Sequence, residues 1–244
     1  MIEFTSGLNL FLIAAAVIPA VVLMGLVYKA DKLEKEPASY LLKLIFWGIL
    51  ATALATVAEQ VGELICAYLA PNDLIYRILV YFGVVAFSEE GAKYALLKSR
   101  TWKNPNFNCQ FDGVVYAAFV SLGFALWENI LYVLEFGFET ALIRAVTAVP
   151  GHCCFGIFMG VFYGAARRWE NAGDPARAKT RRVLAVVLPA LIHGAYDFIV
   201  SAGTEKMTLF FLIFIVGMFV IAVKTVKKAS AADRYIGVPD GEEY

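Results

Sequence analysis

The chain has 244 residues, 60% of them hydrophobic and only 17% charged, with a mean hydropathy of +0.68 and a formal net charge of zero. A soluble domain carries about 25% charged residues, and here the apolar excess comes in long blocks, so the composition excludes an ordinary soluble domain and points to a polytopic membrane protein. With no basic block, nucleic-acid binding has no support. In chain order, seven apolar segments read as membrane-spanning helices: 8–28, 40–69, 74–97, 113–134, 140–166, 183–202 and 208–226. The first follows Met1-Ile2-Glu3, which has no basic stretch. It is longer than a signal-peptide core, so it is expected to be retained. The second is long for one span, and its far end is expected to follow the outer interface, leaving Glu59 and Glu63 at headgroup level. Residues 229–244, ending in Asp240-Gly241-Glu242-Glu243-Tyr244, are expected to be a disordered tail.

The expected fold class is therefore all-α. It is a single integral-membrane domain, 1–244, built as a bundle of about seven transmembrane helices. The core is expected at about 74–202, with the first two helices and the last one peripheral. Lysines and arginines alternate sides as the positive-inside rule requires. Lys29, Lys32 and Lys35 follow the first span, Lys98, Arg100 and Lys103 the third, Arg167 to Arg182 the fifth, and Lys224, Lys227, Lys228 and Arg234 the seventh. This pattern predicts an outside N-terminus and a cytoplasmic C-terminus. The four cysteines, Cys66, Cys109, Cys153 and Cys154, have no CxxC or other metal-ligand spacing and are read as small buried hydrophobes.

The informative residues are polar ones inside the oily runs. Ser88-Glu89-Glu90-Gly91-Ala92-Lys93 interrupts the third span, where one central charge costs about 2.5–3.5 kcal/mol. Candidate partners lie at similar depth: Glu128 with Asn129, His152, and His193 with Asp197, the two histidines being the only ones in the chain. His152, Gly156, Gly160 and Gly164 share one helix face, so the imidazole sits on a small-residue contact stripe and not toward lipid. His193, Asp197 and Ser201 share another face. Lys93, at i+4 from Glu89 and i+3 from Glu90, can reach either. As isolated features these admit bland readings: a structural ion pair for Lys93, a helix–helix hydrogen bond for each histidine, simple packing for the glycine stripe. Their joint occurrence favours function.

Paired carboxylates split their proton affinities, and one of them can then take a proton from water near neutral pH. The imidazoles can bind a carbonyl oxygen or complete a metal site, and Asp197 can orient His193. Hydrolysis of an amide bond fits these parts. The HExxH helix of zinc proteases is absent, no GxS stands ready for a serine-type enzyme, and no GxGD motif accompanies Tyr196-Asp197. Cys153 and Cys154 adjoin His152 in sequence, but helical neighbours point about 100° apart.

Glu89-Glu90-x-x-Lys93, Asp112-Gly113-x-Val115-Tyr116 leading to Gly123-Phe124-Ala125-x-x-Glu128-Asn129-Ile130-x-Tyr132, His152, and Leu191-x-His193-Gly194-x-Tyr196-Asp197 together resemble the PrsW intramembrane proteases, relatives of the CAAX prenyl-protease and Abi group. The resemblance runs from about residue 80 to 200. It implies a bacterial plasma-membrane, multi-pass protease that makes the first cut in a single-pass anti-sigma factor during stress signalling. It also implies catalytic roles for Glu89, Glu90, Glu128, His152 and His193, with Lys93, Asn129 and Asp197 in support. Two chemistries stay open: a divalent metal such as zinc held by Glu89, Glu90, His152 and His193, or glutamate-activated water alone. The rival classes are a proton- or cation-coupled transporter, against which stands the lack of internal repeats, and a non-catalytic scaffold that binds client helices.

Overall fold

The computed structural model describes residues 6–237. Its helices are α1 (Ser6–Ala30), α2 (Ala38–Leu69), α3 (Asp73–Ile78), α4 (Ala86–Thr101), α5 (Asp112–Phe136), α6 (Phe138–Val146), α7 (Ala148–Asn171), α8 (Pro175–Val200) and α9 (Glu205–Ala231). A π-helical stretch, Leu79–Val85, joins α3 to α4 without a break. Among the described residues, extended pairing is confined to one antiparallel bridge between Cys109 and Tyr235. The chain is an all-α polytopic bundle, as its composition predicts.

Among the described residues, six helical runs are long and apolar enough to cross a membrane. The remaining expected span, 74–97, lies within Asp73–Thr101, which is helical from end to end and roughly 40 Å long. Arg77, Glu89, Glu90 and Lys93 load this run with charge, and the π stretch divides it, so length and apolarity alone count six.

Three other expectations change. The expected span 140–166 lies within Phe138–Asn171, which is long and apolar enough to cross as one run, but its helix is interrupted at Thr147 (φ −121°, ψ −75°) and so divides into α6 and α7. Pro150 is the cause, because it has no N–H for the Val146 carbonyl and its ring crowds that carbonyl. Helix α8 begins at Pro175 and not at 183. Asp174 caps it by accepting from the Arg177 N–H at 2.9 Å, and Pro175 suits the first helical position. Hydropathy locates where a helix enters lipid, not where its hydrogen bonding starts. Residues 229–237 of the expected disordered tail are ordered instead: α9 runs to Ala231, and Arg234 and Ile236 exchange main-chain hydrogen bonds with Gln110 and Asn108. The acidic stretch 240–244 lies outside the described residues.

Helix α5 is the axis of the bundle. Of its span 72% is buried, against 28% for α1 and 22% for α9. It packs against α7, α2 and α1, while α8 closes on α7 and α4. Large side chains left exposed, such as Leu42, Phe46, Leu54 and Leu64 on α2 and Phe210, Ile213 and Val220 on α9, are the lipid-facing surface a membrane helix requires. All four cysteines are free and buried.

The α5–α7 contact sets the position of the candidate site. A Cβ added at Gly160 would stand 2.4 Å from Val114 Cα, and one at Gly164 would stand 2.1 Å from the Gln110 carbonyl oxygen. Only glycine lets the two backbones approach this closely. Higher up, Ser121 Oγ donates to the His152 carbonyl at 2.7 Å, which fixes the turn that carries the imidazole.

Candidate functional site

Glu89, Glu90 and Lys93 come from α4, His152 from the first turns of α7, and His193 with Asp197 from α8. Glu90 and Lys93 are wholly buried, and Glu89, His152 and His193 are at most 5% exposed. The helical spacing puts Glu89, Glu90 and Lys93 of α4 on one face, and the π stretch just before it aims that face at α8. There Gly194 is so close to Phe82 that an added Cβ would lie 2.6 Å from its ring. π-helical turns recur at functional sites because they re-aim the following turn.

The Lys93 ammonium donates to Glu89 Oε2 at 3.0 Å and to Glu90 Oε1 at 2.8 Å. It reaches both carboxylates, where spacing alone allowed either. Its third contact is His152 Nδ1 at 3.0 Å. An ammonium only donates, so that nitrogen accepts, and the Nε2–H of His152 is left to donate to Glu128 Oε2 at 2.9 Å. His193 repeats the arrangement. Its Nδ1 faces Glu90 Oε1 at 3.1 Å, and its Nε2 faces Asp197 Oδ2 at 3.3 Å. Each imidazole therefore turns Nδ1 toward the centre and has a carboxylate behind Nε2. Breaking a buried ion pair by removing one partner costs about 3–5 kcal/mol, so Lys93 serves the structure whatever else it does.

The aromatic surroundings are less legible in the sequence. The Phe155 ring stacks on His193 (4.6 Å between centroids, 21° between planes) and meets His152 edge-on. Phe124 lies 3.9 Å beneath the Lys93 ammonium. These two rings pack directly against both imidazoles and the ammonium.

The structure separates the expected residues into two groups. Glu89, Glu90, His152 and His193 each offer a donor atom, and these atoms all lie within 4.8 Å of one another. Glu128 meets the centre through His152, and Asp197 through His193. Asn129 stands further out. Its amide donates to the Ala16 carbonyl of α1 at 2.9 Å and accepts from Arg144 Nε at 3.0 Å, so it ties helices together.

Two participants escaped sequence reasoning. Arg144, on α6, donates to Glu128 Oε2 at 2.8 Å and stacks over Tyr132. A lone arginine in an apolar segment was the available signal. Glu59, expected to rest at headgroup level, instead lies within Coulomb range of Glu89 and Glu128, and its Oε1 is buried with no donor.

The four inner groups fit a metal ion. Two imidazoles and two carboxylates are the donor types of zinc-class sites, the carboxylates behind the imidazoles are the usual outer support of such ligands, and Glu90 Oε2 is buried without any donor from the protein. The Lys93 ammonium and a metal ion would compete for the lone pair of His152.

A family model described as "PrsW family intramembrane metalloprotease" matches residues 36–224. The chain belongs to this family. Among its relatives, Protease PrsW of Bacillus subtilis (strain 168) is 32% identical over 222 residues, covering 91% of this chain and 97% of that protein. Protease PrsW of Geobacillus kaustophilus (strain HTA426) is 33% identical over 232 residues, covering 93% and 96%. Protease PrsW of Clostridioides difficile (strain 630) is 27% identical over 225 residues, covering 91% of each. No solved structure matches. As a PrsW-family member the chain is a multi-pass membrane protease of the bacterial plasma membrane, and the family's description as metalloproteases agrees with the donor set at Glu89, Glu90, His152 and His193.

Proposed function

We propose that the chain cuts a peptide bond of a single-pass membrane protein at the centre formed by Glu89, Glu90, His152 and His193, and that its substrate is of the anti-sigma-factor type the PrsW resemblance implies. The observation that carries this is the paired arrangement of imidazoles: each has Nδ1 inward, beside the two glutamates, and a carboxylate fixing Nε2. That is the build of a hydrolytic centre, and it needs three separate helices to converge.

Glu89, whose side chain keeps 7% exposure where that of Glu90 has none, takes the proton from the attacking water. The water oxygen bonds to the peptide carbonyl carbon, the C–N bond breaks, and the proton passes from Glu89 to the leaving amine. Glu90 stays ionised between Lys93 and His193. His193, oriented by Asp197, turns its Nδ1–H toward the carbonyl oxygen as it gains charge, while His152, which accepts from Lys93 and donates to Glu128, holds the ammonium in place. Glu89, Glu90, His152 and His193 would also hold the divalent metal implied by the family, which when bound acidifies water and polarises a carbonyl.

The test is cleavage of a co-expressed, membrane-anchored anti-sigma substrate. Wild-type protein is expected to release the shortened substrate. His193→Ala, recovered from the membrane in equal amount, is expected to leave it intact. Wild-type cleavage by that variant would exclude this centre, and ion flux into liposomes without proteolysis would favour a transporter.

A further inference from the structure

The motif Glu128-Asn129-Ile130-x-Tyr132 is only partly accounted for by the proteolytic centre, since Glu128 alone meets it, through His152. Helical spacing places Glu128, Asn129 and Tyr132 within one arc of about 100° on α5, and the residue they share is Arg144 of α6. The Arg144 Nη2 donates to Glu128 Oε2 at 2.8 Å and its Nε donates to Asn129 Oδ1 at 3.0 Å. The guanidinium lies 4.0 Å over the Tyr132 ring. A planar, forked cation uses the carboxylate, the amide and the ring at once, which an ammonium cannot do.

The local sequence delivers Arg144 to this seat. Gly137 has φ +84°, a conformation that glycine adopts without a steric penalty, and it turns the chain from α5 into α6. Ala141 then packs against Leu12, Ala16 and Val133, and Arg144 follows one turn later on the same face. Leu142, Ile143 and Val146 occupy the other side of α6, each more than half exposed.

Two cations thereby act on the two ends of one imidazole. At Nδ1 of His152 the donor is Lys93 itself, at 3.0 Å. At Nε2 the partner is Glu128 Oε2, at 2.9 Å, the same oxygen that accepts from Arg144. The two histidines differ in how their carboxylates are held. Asp197 stands one turn from His193 on the same helix, with 3.3 Å between Oδ2 and Nε2, so helical spacing brings the pair together. Glu128 reaches His152 from a different helix, and its side chain has staggered alternatives. An anchor from a third helix selects one of them.

We propose that Arg144 is a positioning residue for peptide-bond cleavage. Seated on Glu128, Asn129 and Tyr132, it holds the Glu128 carboxylate where the Nε2–H of His152 meets it. Through that ring it keeps the Lys93 ammonium on Glu89 and Glu90. This role rests on the proteolytic centre described above and adds α6 to the helices that set its geometry.

The test compares the wild type with Arg144→Met, as full chains in nanodiscs, by two readouts. The first is cleavage of the membrane-anchored substrate: kcat is expected to fall roughly 10–100-fold, the usual effect of losing an outer support of a histidine, with KM unchanged. In a Glu128→Gln background the same substitution is expected to lower kcat no further, because the two residues act as one unit. The second readout needs no turnover. His152 and His193 are the only histidines, so chelator-treated protein labelled with isotopic histidine and purified without a histidine tag gives two imidazoles by NMR, assigned with His193→Gln. The His152 Nε2–H proton is expected far downfield and slow to exchange in the wild type, as suits a charge-assisted bond. In Arg144→Met it is expected to move upfield and exchange faster. Arg144→Lys, which keeps the charge but not the fork, should fall between the two in both readouts, and it carries the test if the methionine variant is not recovered. An unmoved resonance, an unchanged kcat, or a full second loss in the Glu128→Gln background would overturn the proposal and leave Arg144 as a tie between α6 and α5. If the wild type itself cleaves no substrate, the proteolytic reading falls, and the resonance alone decides whether Arg144 positions His152.

Discussion

Glu89→Gln is expected to lower the rate of substrate cleavage by roughly 10²–10⁴-fold, the usual worth of a general base, while the protein stays folded. The substitution keeps the volume of the side chain and removes its charge. Lys93 retains Glu90 at 2.8 Å and His152 at 3.0 Å, so the ammonium is not stranded. The effect should fall on kcat, because a glutamine can still touch the substrate but cannot accept the proton of water. Purified protein assayed with a quantified membrane-anchored substrate, alongside its thermal unfolding midpoint, separates chemistry from stability. An unchanged kcat would move the base to Glu90 or remove it from both.

The second large effect is structural. Gly160→Leu is expected to abolish folded protein and activity together. The first atom of the new side chain would already stand 2.4 Å from Val114 Cα and 2.5 Å from the Gly113 carbonyl oxygen. Overpacking of a side chain against side chains costs about 1–3 kcal/mol, but here the obstacle is backbone, which cannot turn aside. Separating α5 from α7 would also break the Ser121 bond to the His152 carbonyl and draw the imidazole away from Lys93. Gly217→Ala is the matched control, since nothing lies within 4 Å of a Cβ there, and it should leave yield and activity unchanged. Comparing the recovered yields from membranes is sufficient. Normal folding of Gly160→Leu would mean that the two helices are not in contact at this point.

Much of the candidate site could be read from residue type and helical spacing. Glu89, Glu90 and Lys93 fall at i, i+1 and i+4, and the glycine stripe that carries His152 announces a helix contact. Convergence of α4, α7 and α8 on one point was inferred from depth, and the inner four residues do meet. What spacing could not supply is roles across helices. Glu128 is expected to line the cavity, and the structure places it behind His152, while Asn129 bridges α5 to α1. Arg144 went unnoticed because α6 was read as the start of one long span. Pro150 carried the information needed to place the helix break inside that span. The π stretch at Leu79–Val85 leaves no compositional mark, and it decides which way Glu89 and Glu90 point.

The most direct test of the proposed centre is the metal content of the purified protein, measured together with cleavage, in the wild type and in His152→Ala and His193→Ala. Stoichiometric zinc-class metal in the wild type is expected, with metal and activity removed together by a chelator, restored together on adding the ion back, and missing together from both variants. Full cleavage by metal-free wild-type protein would contradict the metal role, and metal retained at wild-type stoichiometry in both variants would contradict the assignment of His152 and His193 to its site.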